Sequence, residues 1–386
     1  MRLRYLTAGE SHGKALVGIL EGLPSGLEIN SEYIQMQMKR RKLGYGRGLR
    51  QKMEDDFVQI LSGVRHGQTL ASPVSLLVEN QDWKNWSDIM QAEECSTEIK
   101  RKVEIPRPGH ADYVGAVKYK FDDMRNVLER ASARETTIRV ALACFAKKLL
   151  EDLGIKIASR VKQIGEVFDP TNFDGNLQKM LEIVDARACR CLDSTSDQKM
   201  CAVIDEAKAK GDTLGGSFEV IADGLPIGLG SYVQWDRRLE AEIGKAFLSL
   251  NAIKAVEIGS GFELAKQFGS KAHDEYLPSS TAKTLNYKTN HSGGIDGGMT
   301  TSQPLVVRAS MKPLSTLMNP LDSVKISTNE ATKAHIERSD VTAVPAAAVI
   351  GESLLALVLA NAILEKFGGD SMNELKQRVF AWRSGQ

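Results

Sequence analysis

The sequence predicts a mixed α/β or α+β protein. Short apolar runs with strand character open the chain, apolar residues at helical spacing fill its middle and its end, and further strand-like runs stand between those helices. In chain order, "RLRYLT" (2–7) and "ALVGIL" (15–20) read as two strands joined by the turn "AGESHGK", which carries His12. Functional side chains concentrate on such turns because rigid strands hold both ends. "YVGAVKY" (113–119) reads as a further strand. After "RASARET" (130–136), Ile138, Ala141, Leu142, Phe145, Leu149 and Leu153 share one helical face, and Gly154 supplies the stop. Ser132 followed by Glu135 is a capping-box pattern in front of that helix. "SFEVIA" (217–222) returns to strand, and a second helix follows Asp236 with Leu239, Ile243, Ala246, Phe247 and Leu250 on one face. "PLVVRAS" (304–310) is the last strand, and a helix begins near Pro345, a favoured first-turn residue, and ends at Gly368. Segments 164–200 and 270–300 are polar and rich in Gly, Ser, Asn and Asp; mobile or binding loops are expected near 40–52 and 270–300.

A chain of 386 residues exceeds the size of one ordinary core, so length alone favours roughly two or three domains, yet no linker, repeat or low-complexity tract divides it. A hydrophobic fraction of 42% with 26% charged residues excludes disorder. Fifty basic against forty-nine acidic residues leave a net charge of +1, which removes the global attraction expected of a nucleic-acid or anionic-membrane binder. The start, "MRLRYLTAGESHG", lacks the apolar core of a signal peptide. The most apolar segment, Val344 to Leu364, is interrupted by Glu352 and falls short of the ~20 uncharged residues of a membrane span. A cytoplasmic protein without membrane or nucleic-acid partners is expected. The cysteines, Cys95, Cys144, Cys189, Cys191 and Cys201, show no CxxC pair and read as reduced structural thiols rather than a metal site. Trp83 and Trp86 in "DWKNW" read as packing residues.

The informative feature is where arginine sits. "KRRKLGYGRGLRQK" (39–52), "PRPGHAD" (106–112), "ERASARET" (129–136) and "HIERSD" (335–340) each set Arg among Gly, Ser, His or Asp. The guanidinium is a permanently charged planar fork that matches carboxylate and phosphate oxygens. Several forks brought together by the fold suit a small, heavily anionic substrate. His12 and His110 both lie in glycine-flanked polar turns, where an imidazole can exchange a proton at neutral pH. No HExxH spacing calls for a metal, "GYGRG" lacks the GK[ST] of a P-loop, and "GSGFEL" lacks the third glycine of a dinucleotide fingerprint.

Together these clusters resemble the chorismate synthase family. "GESHGKALVGILEGLP" (9–24), "ERASARETTIRVALACF" (129–145) and "RSDVTAVPAAAVIGESLLA" (338–356) match its three signature regions in order, and the intervening "RRKLGYGRG", "RPGHAD", "NAIKAVEIGSGF", "GGIDGGMT" and "MKPLST" match as well. The resemblance implies a single large α+β domain over 1–386, with helices and antiparallel sheets layered as a β-α-β sandwich, assembled as a homotetramer. It implies anti 1,4-elimination of phosphate and a ring hydrogen from 5-enolpyruvylshikimate 3-phosphate, giving chorismate. Reduced FMN is the implied cofactor, with NADPH needed only indirectly and a separate flavin reductase as a partner. Carried over residue by residue, His12 stands near the leaving phosphate, His110 beside the reduced flavin and Asp340 near the flavin N5, with Ser11 and Ser132 orienting them. Arg41, Arg47, Arg107, Arg134 and Arg338 take the anionic substrate. Arg130, Ala131, Ser132, Asn251, Ala252, Gly297, the run Lys312, Pro313, Leu314, Ser315 and Thr316, and Arg338 take FMN. Ser292 and the run Thr300 to Gln303 depart from the commonest family pattern. The competing reading from another class is a nucleic-acid or phosphoprotein binding module that uses 39–52 as a basic loop.

Overall fold

The computed structural model describes residues 3–48, 55–94, 100–279, 285–337 and 339–385. Arg4–Ala8 and Ala15–Glu21 pair antiparallel across the His12 turn, and Val74–Glu79 and Val58–Ser62 extend them into a four-stranded antiparallel sheet. Along Ala15–Glu21, Leu16, Gly18 and Leu20 are buried toward the Thr136–Asp152 helix. Gly18 permits that approach, because a Cβ there would stand 2.7 Å from Ile138 Cγ1.

A second antiparallel sheet runs in the order Ile253–Ile258, Leu305–Met311, Gly216–Asp223, Lys156–Ile164, Val167–Phe168. The Val344–Phe367 helix lies on its inner face and packs against Thr136–Asp152, which reaches the first sheet; Ser31–Lys42 and Leu239–Leu248 complete the helical layer. One hydrophobic cluster runs through all three layers, so the fold is the single-domain α+β sandwich expected. The apolarity of Val344–Phe367 is that of a core element, since 89% of its most apolar window is buried in protein.

Two expectations need correction. "YVGAVKY" forms a helix, Asp112–Tyr119, not a strand. Its apolar residues do not alternate in burial: Ala116 is inside while Tyr113, Val114, Val117 and Tyr119 are exposed. Gly115 lets the helix rest on Val127, where a Cβ would come within 2.4 Å of Cγ1, and Lys120 ends it in the left-handed region at φ 57°. The capping box is also different. Ser132 Oγ accepts from Arg134 N–H at 3.3 Å at the head of a 3₁₀ turn, Ala133–Glu135, and Glu135 turns its carboxylate to Arg139. The polar segment 164–200 holds the Leu177–Asp185 helix, capped by Asn176, and the start of Ser194–Ala209, capped by Asp193.

The basic stretch 39–52 is not a solvated loop in its described part. Lys39–Lys42 is the last turn of Ser31–Lys42, and Arg40 and Arg41 are buried. Arg40 bonds Glu352 at 2.7 and 2.9 Å and Asp185 at 2.9 Å. A nucleic-acid reading needs these cations on an open surface, whereas Arg40 is spent on internal acids and Arg41 is buried in the wall of a cavity. Residues 49–52 lie outside the described residues, as does Cys95. Cys144, Cys189, Cys191 and Cys201 are free thiols, the first three buried.

Candidate active site

The His12 turn is built by its glycine and held by side chains from elsewhere. Gly9 takes φ +105°, and a Cβ there would meet Ala15 O at 2.4 Å, so no other residue fits. Asn80, at the end of Val74–Glu79, donates to Glu10 O at 3.1 Å and Gly13 O at 2.7 Å, while Arg130 donates to Thr7 O and Gly9 O at 3.0 Å. Held this way, His12 meets Glu129: its backbone N–H donates to Oε2 at 2.8 Å, and Nδ1 lies 2.9 and 3.0 Å from the two carboxylate oxygens. Burial alone would raise the Glu129 carboxyl; the His12 bonds and Arg125 hold it below its ordinary value. A carboxylate on Nδ1 fixes the ring so that Nε2 is the working nitrogen.

A second histidine is tied similarly. His110 Nδ1 lies 2.5 Å from Asp112 Oδ1, and Arg107 forks onto the same carboxylate at 2.8 and 3.0 Å while donating to Thr316 Oγ1 at 2.9 Å. Asp112 is fully buried, which would raise its carboxyl, yet bonds from His110 and Arg107 hold it well below the usual range. It occupies the first position of its helix, where the dipole also favours an anion.

Arg41 and Arg134 share one buried acid, Asp56. Arg134 bonds it directly, and Arg41 Nη1 stands 3.6 Å away while Nη2 donates to Thr136 Oγ1 at 2.9 Å. Burial first, and then the neighbouring Arg134 and Arg47, push the Arg41 guanidinium down to about 10 against the pull of Asp56. It remains charged at neutral pH, in a place already crowded with positive charge. Arg47 pairs with Asp340 at 2.9 Å, and Gly48 N–H donates to the same carboxylate at 2.6 Å.

The two histidines and the arginines Arg41, Arg47, Arg107 and Arg134 line one cavity of about 450 Å³. Its wall gathers Ser11, His12, Arg41, Arg47, Arg107, His110 and Arg134 from segments far apart in sequence. Ala131, Ser132, Asn251, Ala252, Lys312, Leu314, Ser315, Thr316 and Asp340 line it too. Ser132 Oγ donates to Ser11 Oγ at 3.2 Å. Glu337 and Asp340 are the only acids among the described lining residues, so cations prevail. Glu337 is itself engaged: burial would raise it, but His335 at 2.9 Å and Arg125 at 3.4 Å hold it down to about 2.

Three anticipated residues are not part of the cavity wall. Arg130 braces the His12 turn, Gly297 sits in the tight turn between Ile295–Asp296 and Met299–Thr300, and Pro313 is missing from the wall that its neighbours Lys312 and Leu314 line. Arg338 lies outside the described residues. Sequence reasoning missed the acids that hold the site, Asp56, Asp112 and Glu129. Asp112 and Glu129 were in the quoted motifs, and their spacing to Arg107, His110 and Arg125 was the available signal; Asp56 carried none.

The chain matches the family model described as chorismate synthase over residues 3–364. It is 51% identical to a chorismate synthase of Bacillus cytotoxicus over 381 residues, which covers 98% of this chain and 97% of that one. A chorismate synthase of Bacillus pumilus is 50% identical and covers 100% and 99%. A solved structure described as "Crystal Structure of Chorismate Synthase" superposes with a TM-score of 0.80 at 40% identity, covering 100% of this chain and 98% of that one. The fold, its full-length coverage and the sequence matches agree: this chain belongs to the chorismate synthase family.

Proposed function

We propose that this chain eliminates phosphate and a ring hydrogen from 5-enolpyruvylshikimate 3-phosphate, giving chorismate, with reduced FMN as cofactor. The observation that carries the reading is the convergence of four arginines and two carboxylate-held histidines, from separate stretches of chain, on one cavity. The substrate brings a phosphate and two carboxylates, about four negative charges. Arg41, Arg47, Arg107 and Arg134 offer them pre-positioned forks whose own acids, Asp56, Asp112 and Asp340, stop the cations from repelling one another apart.

The wall also fits a flat heteroaromatic ring. Ala131, Ala133, Ala252 and Gly109 present little bulk, and Asn251, whose Nδ2 is spent on Ala131 O at 2.9 Å, keeps a buried Oδ1 with no hydrogen-bond partner among the described residues. Such an acceptor suits a ring N–H. Arg47 Nε is likewise buried without a partner. Ala252 holds φ +66°, a strained backbone kept where its carbonyl accepts from Lys312 N–H at 3.0 Å. When bound, reduced FMN supplies a reversible electron donor for a C–H bond too weakly acidic for an ordinary side-chain base.

The chain's own residues supply the rest. His12, as the imidazolium that Glu129 stabilises, gives its Nε2 proton to the departing phosphate. Ser11 and Ser132 orient that end of the substrate. His110, braced by Asp112, places a second ionisable ring on the cavity wall, and Asp340, held by Arg47 and Gly48 N–H, would relay onward the proton collected at the flavin N5. The protein works in this reading as a cytoplasmic homotetramer, served by a separate reductase that consumes NADPH. Large exposed side chains such as Phe268 (86%), Trp235 (74%) and Tyr232 (72%) provide surface for subunit contact.

Stoichiometry tests the reaction type. Under nitrogen, chorismate and inorganic phosphate should appear in equal amounts with no net oxidation of the reduced flavin. Flavin oxidised in proportion to product would replace the elimination with a redox reaction.

A further inference from the structure

Trp86 does not line the cavity, yet it touches His12, the proton donor inside it. Its indole stacks on the imidazole with ring centroids 3.8 Å and planes 19° apart, and it is 4% exposed. The indole is fixed by its own edge, where Nε1–H donates to Asp82 Oδ2 at 3.1 Å. Two guanidiniums stand over the same ring, Arg101 at 4.4 Å and Arg125 at 5.0 Å from its centroid. Arg125 also donates to Glu129 Oε1 at 3.0 Å, the carboxylate that takes His12 Nδ1.

We propose that Trp86 is a positioning residue for His12, the floor that fixes the plane of the imidazole while Glu129 fixes its edge. The two constraints are complementary. A carboxylate on Nδ1 sets which nitrogen faces the cavity but leaves the ring free to swing about that hydrogen bond. A face-to-face stack removes the swing, and an indole face also attracts the imidazolium that the step requires. Arg101 and Arg125 stand over the indole, and Arg125 links floor and edge into one brace. The charged group on the imidazole itself is Glu129; Arg125 and Arg101 reach it through Glu129 and the indole, and Glu337 joins the set through Arg125. A tryptophan serving packing alone needs neither the stack on a site histidine nor the shared arginine.

The inference rests on His12 being the proton donor. Trp86→Leu should lower kcat by about tenfold or more with KM within about twofold, because an ångström of misplacement at a reacting group is felt in the transition state. Trp86→Phe, which keeps an aromatic face, should recover kcat to within about threefold of the parent, given that stacking rather than the indole N–H does the positioning. A Trp86→Leu enzyme with unchanged kcat, a loss confined to KM, or a Phe variant as impaired as Leu would overturn the proposal. If Trp86→Leu fails to fold, the parent protein decides by proton NMR. The His12 ring C–H signals, identified by their absence in His12→Asn, should lie upfield through the indole ring current. Their appearance at ordinary positions would refute the stack. The two readings separate cleanly: His12→Asn turning over like the parent removes the donor role, whereas an impaired His12→Asn beside a normal Trp86→Leu removes only the floor.

Discussion

His12→Ala is expected to lower kcat by roughly 10²- to 10⁴-fold and to leave KM within a few-fold, the signature of a group that acts as a proton donor in the transition state. In the proposed reading the substrate's anionic groups go to Arg41, Arg47, Arg107 and Arg134, which line the same cavity and which the substitution does not touch. Nδ1 is committed to Glu129, so the proton delivered to the phosphate is the one on Nε2. Steady-state kinetics with substrate saturating and limiting check both parts. Unchanged kcat would leave His12 a structural turn residue.

Glu352→Ala is expected to be the most destabilising single change in the helical layer. Glu352 is fully buried on Val344–Phe367 and accepts from Arg40 at 2.7 and 2.9 Å, Lys147 at 2.7 Å and Ser159 Oγ at 2.7 Å. Arg190 stands 3.8 Å away. Removing the carboxylate leaves these cations uncompensated, at a cost of about 3–5 kcal/mol. Arg40 precedes Arg41 on the same helix, so the cluster also seats a cavity arginine. Burial works to raise the Glu352 carboxyl, but Arg40 and Lys147 hold it far below its ordinary value. A depressed folded value means that the contribution is complete above the unfolded carboxyl pKa of about 4.3 and is lost progressively as pH falls below it. Denaturant unfolding should show the full gap between parent and variant at pH 7 and a smaller one at pH 3. A gap that grows in acid would contradict the assignment.

Local patterns were legible in the sequence, and tertiary pairings were not. The strands around the His12 turn and the helices ending at Gly154 and Gly368 follow from short-range periodicity and glycine stops, which tertiary contacts only reinforced. The Asp112–Tyr119 helix did not, because its valines and tyrosines mimic a strand while its burial rests on Ala116 and on a glycine contact with another helix. The clustered arginines and two histidines were visible as residue types, and most of them share the cavity. What holds them was hidden. Asp56 lies far from Arg41 and Arg134 in sequence, and Trp86 looked like one more core aromatic. Burial of a charge depends on which distant partner the fold supplies, and single-sequence reasoning has no term for that. Arg130 shows the converse: its place in a site motif reflects support of the backbone at Thr7 and Gly9.

The central claim is that this cavity carries out an elimination that depends on the reduced state of its flavin. The most direct measurement is anaerobic chorismate formation from 5-enolpyruvylshikimate 3-phosphate with reduced FMN, with oxidised FMN, and with oxidised FMN plus NADPH. Product with reduced FMN alone is the predicted result. Folded protein that forms no chorismate with reduced FMN, or forms it equally well with oxidised FMN, would contradict the account.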